Sequence, residues 1–191
     1  IGSQITESTP YVAAITKMVN FIAKLKRRGI DLEYLNIGGG LGIIYDKETP
    51  QTAQKFAGDV LPILKKTKLK IILEPGRFIV GNAGILVAKV LYIKSTPKKK
   101  FVIVDAGMND LIRPALYDAY HQILPVAKLQ TQNSKLKNQK YDIVGPICES
   151  ADFFAKDRRL PVVKEGDYLA IMGAGAYGFS MSSNYNSRRR A

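Results

Sequence analysis

Three consecutive glycines, Gly38, Gly39 and Gly40, follow the short apolar run "LEYLNI" at residues 32–37. Glycine lets backbone N–H groups turn inward and approach an anion closely, and a phosphate is the obvious guest; an ordinary tight turn uses the same residues. A second turn, Glu74-Pro75-Gly76-Arg77, follows the run "LKIIL" at 69–73 and fixes a carboxylate and a guanidinium on a rigid frame. Alone, it reads equally well as a surface turn with a local ion pair. Taken together, an anion cradle beside a fixed acid and a fixed base suits a cofactor that carries a phosphate and a basic ring nitrogen.

Other groups lie further along. "DAGMNDLIRPALY" (105–117) gathers Asp105, Asn109, Asp110 and Arg113 in one polar run. Arg113 and Tyr117 are four apart, so a helical turn puts them on one face. There an arginine can grip a carboxylate bidentately and a tyrosine can add its hydroxyl, although such clusters also serve to tie down loops. "GPICES" (145–150) holds the one cysteine, Cys148, beside Glu149. It has no partner for an intramolecular disulfide and lacks the second cysteine and nearby histidines of a zinc site. That leaves a small buried hydrophobe or a working thiol. "GAGAYGFSMSSNYNS" (173–187) surrounds Tyr177 with small residues that let backbone come close to a ligand. The single histidine, His121, shows no partner in the sequence and reads as structural.

The elements that must position these groups change character along the chain. Thr9-Pro10 is a helix start, followed by Val12, Ile15, Val19, Ile22 and Leu25 at helical spacing and by Gly29 as a stop. A second helix after Thr49-Pro50 is expected to bury Phe56, Val60, Leu61 and Leu64. With the runs at 32–37 and 69–73 this gives strand, loop, helix, strand, the grammar of a parallel sheet. From about Gly84 strands follow strands: "ILVAKVLYIK", "FVIVDA", "YDIVG" and "DYLAIM", with a helical possibility only around "MNDLIRPALYDAYH". That pattern predicts a second, mainly antiparallel β unit. Residues 128–140, biased to lysine, asparagine and glutamine, read as a mobile loop.

The 191 residues, 46% hydrophobic, supply one sizeable core or two small ones. The formal charge of +13 invites a nucleic-acid reading. The lysines are scattered over turns and a polar loop, however, without the interleaved aromatics that stacking requires, and solvated faces explain them. A single cysteine fits a reducing compartment, most simply the cytoplasm. No apolar run approaches the roughly 20 residues needed to cross a bilayer.

In order, "IGSQIT", "NIGGGLG", "EPGRFIVGNAG", "VDAGMNDLIRPALYDAYH", "VGPICES" and "GAGAYGFSMSSNYNSR" resemble the diaminopimelate decarboxylases, pyridoxal-phosphate enzymes of the alanine-racemase-like fold type. The resemblance implies an α/β plus β fold. Residues 1–84 would be the last units of a (β/α)8 TIM-type barrel that binds the cofactor, and 85–191 a β-domain. It implies that Gly38, Gly39 and Gly40 bind cofactor phosphate, that Pro75, Gly76 and Arg77 line the same region, and that Glu74 pairs with the pyridine nitrogen. Arg77, Arg113 and Tyr117 would hold the distal carboxylate of meso-diaminopimelate, Glu149 its distal amino group, and Tyr177 would touch both cofactor and substrate. Cys148 would donate a proton in the active site of a partner subunit, so a homodimer is implied.

The resemblance also says what to expect beyond these residues. The lysine that anchors the cofactor, and a histidine that stacks on it, belong upstream of Ile1, so the chain is expected to be a fragment that is inactive alone. Phe78 replaces the small residue expected after "EPGR". Ornithine/arginine and carboxynorspermidine decarboxylases share the implied fold and are the alternatives within it. A non-catalytic basic protein that binds nucleic acid or a partner is the alternative outside it.

Overall fold

The computed structural model describes residues 1–126 and 138–191, which divide into two compact units, Ile1–Ile79 and Val80–Ala191. In the first unit the helical spacing around Ile15 produces α1 (Thr9–Arg27), with Tyr11 and Ile15 buried. Its N-cap is Ser8 rather than Thr9, and the Ser8 hydroxyl donates to the Asp59 carboxylate instead of capping the helix. Gly29 ends α1 in the left-handed region at φ +77°, where a side chain is disfavoured. The strand β1 (Tyr34–Asn36) follows.

Helix α2 (Ala53–Leu64) starts on Thr52, whose side chain accepts from the Lys55 N–H at 3.2 Å, and it tightens into a 3-10 turn over Lys65–Thr67. Phe56, Val60 and Leu64 are buried as expected, but Leu61 is 43% exposed. Three residues at i, i+4 and i+8 already fill the inner stripe, which turns Leu61 outward. Strand β2 (Lys70–Ile72) pairs in parallel with β1 in the register Leu35↔Ile71. The core between helices and strands holds Tyr11, Ile15, Leu35, Leu41, Phe56, Val60 and Leu64. The Tyr11 and Phe56 rings meet edge to face, with centroids 4.9 Å apart. One helical turn, α3 (Gly76–Val80), follows β2.

The second unit is built on a six-stranded sheet. Its strands are β3 (Leu86–Ser95), β4 (Lys100–Val104), β5 (Ile123–Pro125), β6 (Asn138–Val144), β7 (Phe153–Pro161) and β8 (Tyr168–Ile171), with the short helix α4 (Arg113–Tyr117) between β4 and β5. The order is β5-β8-β3-β4-β6-β7, antiparallel throughout except for the parallel pair β4–β6, so the sheet is mixed. The outer strands approach each other: Arg158 on β7 donates to the His121 carbonyl just ahead of β5 at 2.7 Å. Val102, Val104, Ile143, Leu169 and Ile171 lose all access to solvent in the core. Residues 138–140, expected in a mobile loop, belong to β6; the rest of that expectation lies outside the described residues. Among the described residues no helix is long and apolar enough to cross a membrane.

Candidate active site

Parallel pairing carries β1 and β2 to the same end of their sheet, and both signature turns leave from that end. Past the strands the Ile37 N–H donates to the Ile72 carbonyl at 3.0 Å, and the Glu74 N–H donates to the Gly38 carbonyl at 2.9 Å. The carbonyls of the other two glycines are taken as well. Gly39 accepts from the Tyr11 hydroxyl at 3.0 Å, and Gly40 from the Ile5 N–H at 2.9 Å. Among the described residues, the N–H groups of Gly39 and Gly40 meet no acceptor. With every carbonyl turned into the protein, the turn offers donors.

Glycine is required here by space. A Cβ on Gly39 would stand 2.0 Å from the Glu74 carbonyl oxygen, and one on Gly40, at φ +94°, would stand 2.4 Å from the Gly2 carbonyl. Gly38 (φ +71°) and Gly76 face open space instead. Asn36, which the sequence reading passed over, ties the two turns together. Its Oδ1 accepts from the Gly38 N–H at 2.8 Å, and its Nδ2 donates to Glu74 Oε1 at 2.5 Å. An asparagine two residues ahead of a glycine was a readable sign of such a turn. Arg77 is held by Ser3 Oγ at 2.8 Å and the Tyr45 hydroxyl at 3.2 Å, and its guanidinium lies over the Tyr45 ring. Gly38, Gly39, Gly40, Glu74, Pro75, Gly76 and Arg77 therefore sit on two linked turns that carry free backbone N–H groups, one carboxylate and one oriented cation. Phe78 is 37% exposed and joins none of these contacts.

In the second unit Arg113 opens α4 and is only 7% exposed, while Tyr117 at the other end of the same turn is 62% exposed. The spacing puts them on one helix yet not in one environment, because Arg113 is drawn inward to His121. Its Nη1 lies 3.0 Å from His121 Nε2. His121, which seemed partnerless, is fully buried, with Nδ1 2.8 Å from the Met172 carbonyl. Burial, aided by the charges of Arg113 and Arg158, lowers its pKa to about 4 against the pull of the Met172 carbonyl.

Cys148 is exposed on a loop with a buried footing, so the buried-hydrophobe reading does not hold. That footing is Asp152, 5% exposed, whose carboxylate accepts from the Ile147 N–H at 2.6 Å and the Met108 N–H at 2.7 Å. One side chain thus fixes the "GPICES" loop and the "GMND" loop together. Burial pushes its pKa upward despite those bonds, which favour the ionised form. Glu149, next to Cys148, accepts from the Tyr185 hydroxyl at 3.0 Å, and this bond raises the pKa of the phenol. Tyr177 is partly exposed and holds φ +61°, an uncommon backbone state for a bulky residue.

A family model described as "Pyridoxal-dependent decarboxylase, C-terminal sheet domain" matches residues 11–175. The chain belongs to the pyridoxal-dependent decarboxylase family. It is 52% identical to the diaminopimelate decarboxylase of Aquifex aeolicus, over all of this chain and 44% of that protein. It is 50% identical to the Haemophilus influenzae diaminopimelate decarboxylase, over all of this chain and 45% of that one. The crystal structure of diaminopimelate decarboxylase from Helicobacter pylori complexed with L-lysine is similar with a TM-score of 0.90 at 43% identity, covering all of this chain and 46% of that one. The chain thus spans less than half the length of these decarboxylases.

Proposed function

We propose that the chain forms the C-terminal part of a diaminopimelate decarboxylase, which converts meso-2,6-diaminopimelate to L-lysine and CO2. The observation that carries the reading is the pair of turns at the end of β1 and β2, with unclaimed backbone donors on one and Glu74 and Arg77 on the other. The near-half identity to decarboxylases of that name over the whole chain supports it. In this reading residues 1–84 complete a (β/α)8 barrel and residues 85–191 form the β-domain. The protein works in the cytoplasm as a homodimer.

The residues present suit pyridoxal phosphate. The N–H groups of Gly39 and Gly40 would hold its phosphate, with Pro75, Gly76 and Arg77 beside them, and the open space over Gly38 and Gly76 leaves room for it. When bound, the cofactor supplies a ring that takes up the electron pair left on the substrate carbon as CO2 departs. Glu74, aimed by Asn36, would hold a proton on the pyridine nitrogen. Arg113 and Arg77 would bind the distal carboxylate with the Tyr117 hydroxyl, Glu149 would bind the distal ammonium, and Tyr177 would touch both cofactor and substrate. Cys148 would pass its Sγ proton to the carbon that lost CO2, in the partner subunit's site; its exposure suits that task.

The test is Glu74→Gln in the complete enzyme. It should keep the fold and the Asn36 bond while lowering kcat on the order of 100-fold. Unchanged turnover of diaminopimelate would remove the basis for the reading. A preference for a substrate lacking the second carboxylate would shift it to an ornithine- or arginine-type decarboxylase. Alone, the chain should form no stoichiometric lysine adduct with pyridoxal phosphate that borohydride can fix.

A further inference from the structure

His121 takes no part in the chemistry above, yet both of its ring nitrogens are engaged deep inside the second unit. Nδ1 lies 2.8 Å from the Met172 carbonyl and Nε2 lies 3.0 Å from Nη1 of Arg113. A carbonyl only accepts and a guanidinium only donates. The ring proton therefore sits on Nδ1, and Nε2 offers its lone pair to Arg113. The backbone around the ring is pinned as well. Arg158 on β7 donates to the His121 carbonyl, and the Met172 N–H just past β8 donates to the Gln122 carbonyl at 2.8 Å, so two strands hold the backbone that carries the imidazole.

We infer that His121 is the positioning residue for Arg113, its neutral Nε2 acceptor fixing the guanidinium so that the distal carboxylate of the substrate meets a preset fork. The inference rests on the reading that Arg113 binds that carboxylate. A free arginine carries about 2 kcal/mol of rotamer entropy, and ordering it before the substrate arrives removes that cost from binding. The choice of an imidazole has a further consequence. A carboxylate in its place would hold the guanidinium but cancel its charge, whereas a neutral ring leaves the charge for the ligand. Two cations and full burial disfavour protonation of the ring, so the acceptor is present at neutral pH.

Two substitutions separate the two ring nitrogens. His121→Gln extends an amide oxygen to the Nε2 position and keeps an acceptor for Arg113. His121→Asn keeps a donor near Nδ1 and loses the acceptor. In the complete, cofactor-loaded enzyme, H121N should raise KM for diaminopimelate roughly tenfold with kcat little changed, the effect of losing one charged hydrogen bond. H121Q should recover most of that loss. Equal KM for the two variants, or a fall in kcat and Tm alone, overturns the inference.

Arg113→Lys distinguishes the layers. If R113K raises KM while H121N does not, the positioning role alone fails; if neither moves KM, the assignment of Arg113 fails and the inference with it. An independent readout needs no variant, because this chain has one histidine. Long-range 15N–1H NMR should show a single imidazole protonated at Nδ1. An Nε2-protonated ring would leave no acceptor facing Arg113 and would overturn the inference outright.

Discussion

The two units bury their apolar residues to different depths. In Val80–Ala191, a six-stranded sheet encloses side chains such as Val102, Ile143 and Leu169 with no accessible surface. In Ile1–Ile79, β1 and β2 have one strand partner each, while Met18, Phe21, Ile72, Leu73 and Ile79 stay exposed. Parallel strands reach partners only through crossovers, so a short run of them cannot cover its own faces. The glycine turn and the "EPGR" turn belong to the less enclosed unit. Their shape depends on a few backbone bonds, such as Glu74 N–H to Gly38 and Ile5 N–H to Gly40, more than on depth of packing. Arg113 and Cys148 belong to the better enclosed one, where even the guanidinium of Arg113 is held in the interior.

Truncating matched phenylalanines tests this contrast most strongly. Phe154→Ala, in the dry sheet core, should cost about 3–5 kcal/mol, while Phe56→Ala should cost about 2 kcal/mol because its surroundings can relax into open space. Denaturant unfolding of both variants measures the difference, and equal losses would erase it. Next in size is the acid response of the second unit. His121 ionises in the folded chain near pH 4 rather than at its usual 6.5, so between those values the unfolded state binds more protons. Stability from this group is complete above about pH 6.5 and is lost as the pH falls toward 4, by up to about 3 kcal/mol. Melting curves at pH 7, 5.5 and 4 should show this loss, and the H121Q variant should lack it. The smallest effect concerns the first unit. Gly39→Ala must push the Glu74 backbone aside, and it should weaken pyridoxal phosphate binding by about tenfold, or 1.4 kcal/mol, in fluorescence titration. Unaltered affinity would detach the glycine turn from the phosphate.

What could be read in the sequence follows the range of the interactions involved. The stripe of Val12–Leu25 and the strand runs "ILVAKVLYIK" and "FVIVDA" depend on residues within a few positions, and α1 and the β3–β4 hairpin appear where the pattern puts them. Strand β7 was not legible. Two of its residues, Lys156 and Asp157, oppose the single Asp142 in a bulge, and Asp157 holds φ +48°. That bulge breaks the alternation by which strands are recognised. Strand β5 has three residues, one of them proline, too few to carry a period. Among the site groups, the glycines and "EPGR" announce themselves through backbone requirements. The Asn36–Glu74 bond, Asp152 and the partner of His121 do not, because each joins atoms that only the fold brings near.

Asp152 also bears on how this protein can change. Its carboxylate fills the space where a side chain at Gly145 would stand, within 2.4 Å, and holds the loop from beneath, while Cys148 and Glu149 project from the crest into water. Anchorage and exposure thus fall to different residues. A thiol exchanged for a hydroxyl, or an acid for an amide, leaves the foundation intact, so the crest can change one residue at a time, whereas alteration of Gly145 or Asp152 would topple both loops at once.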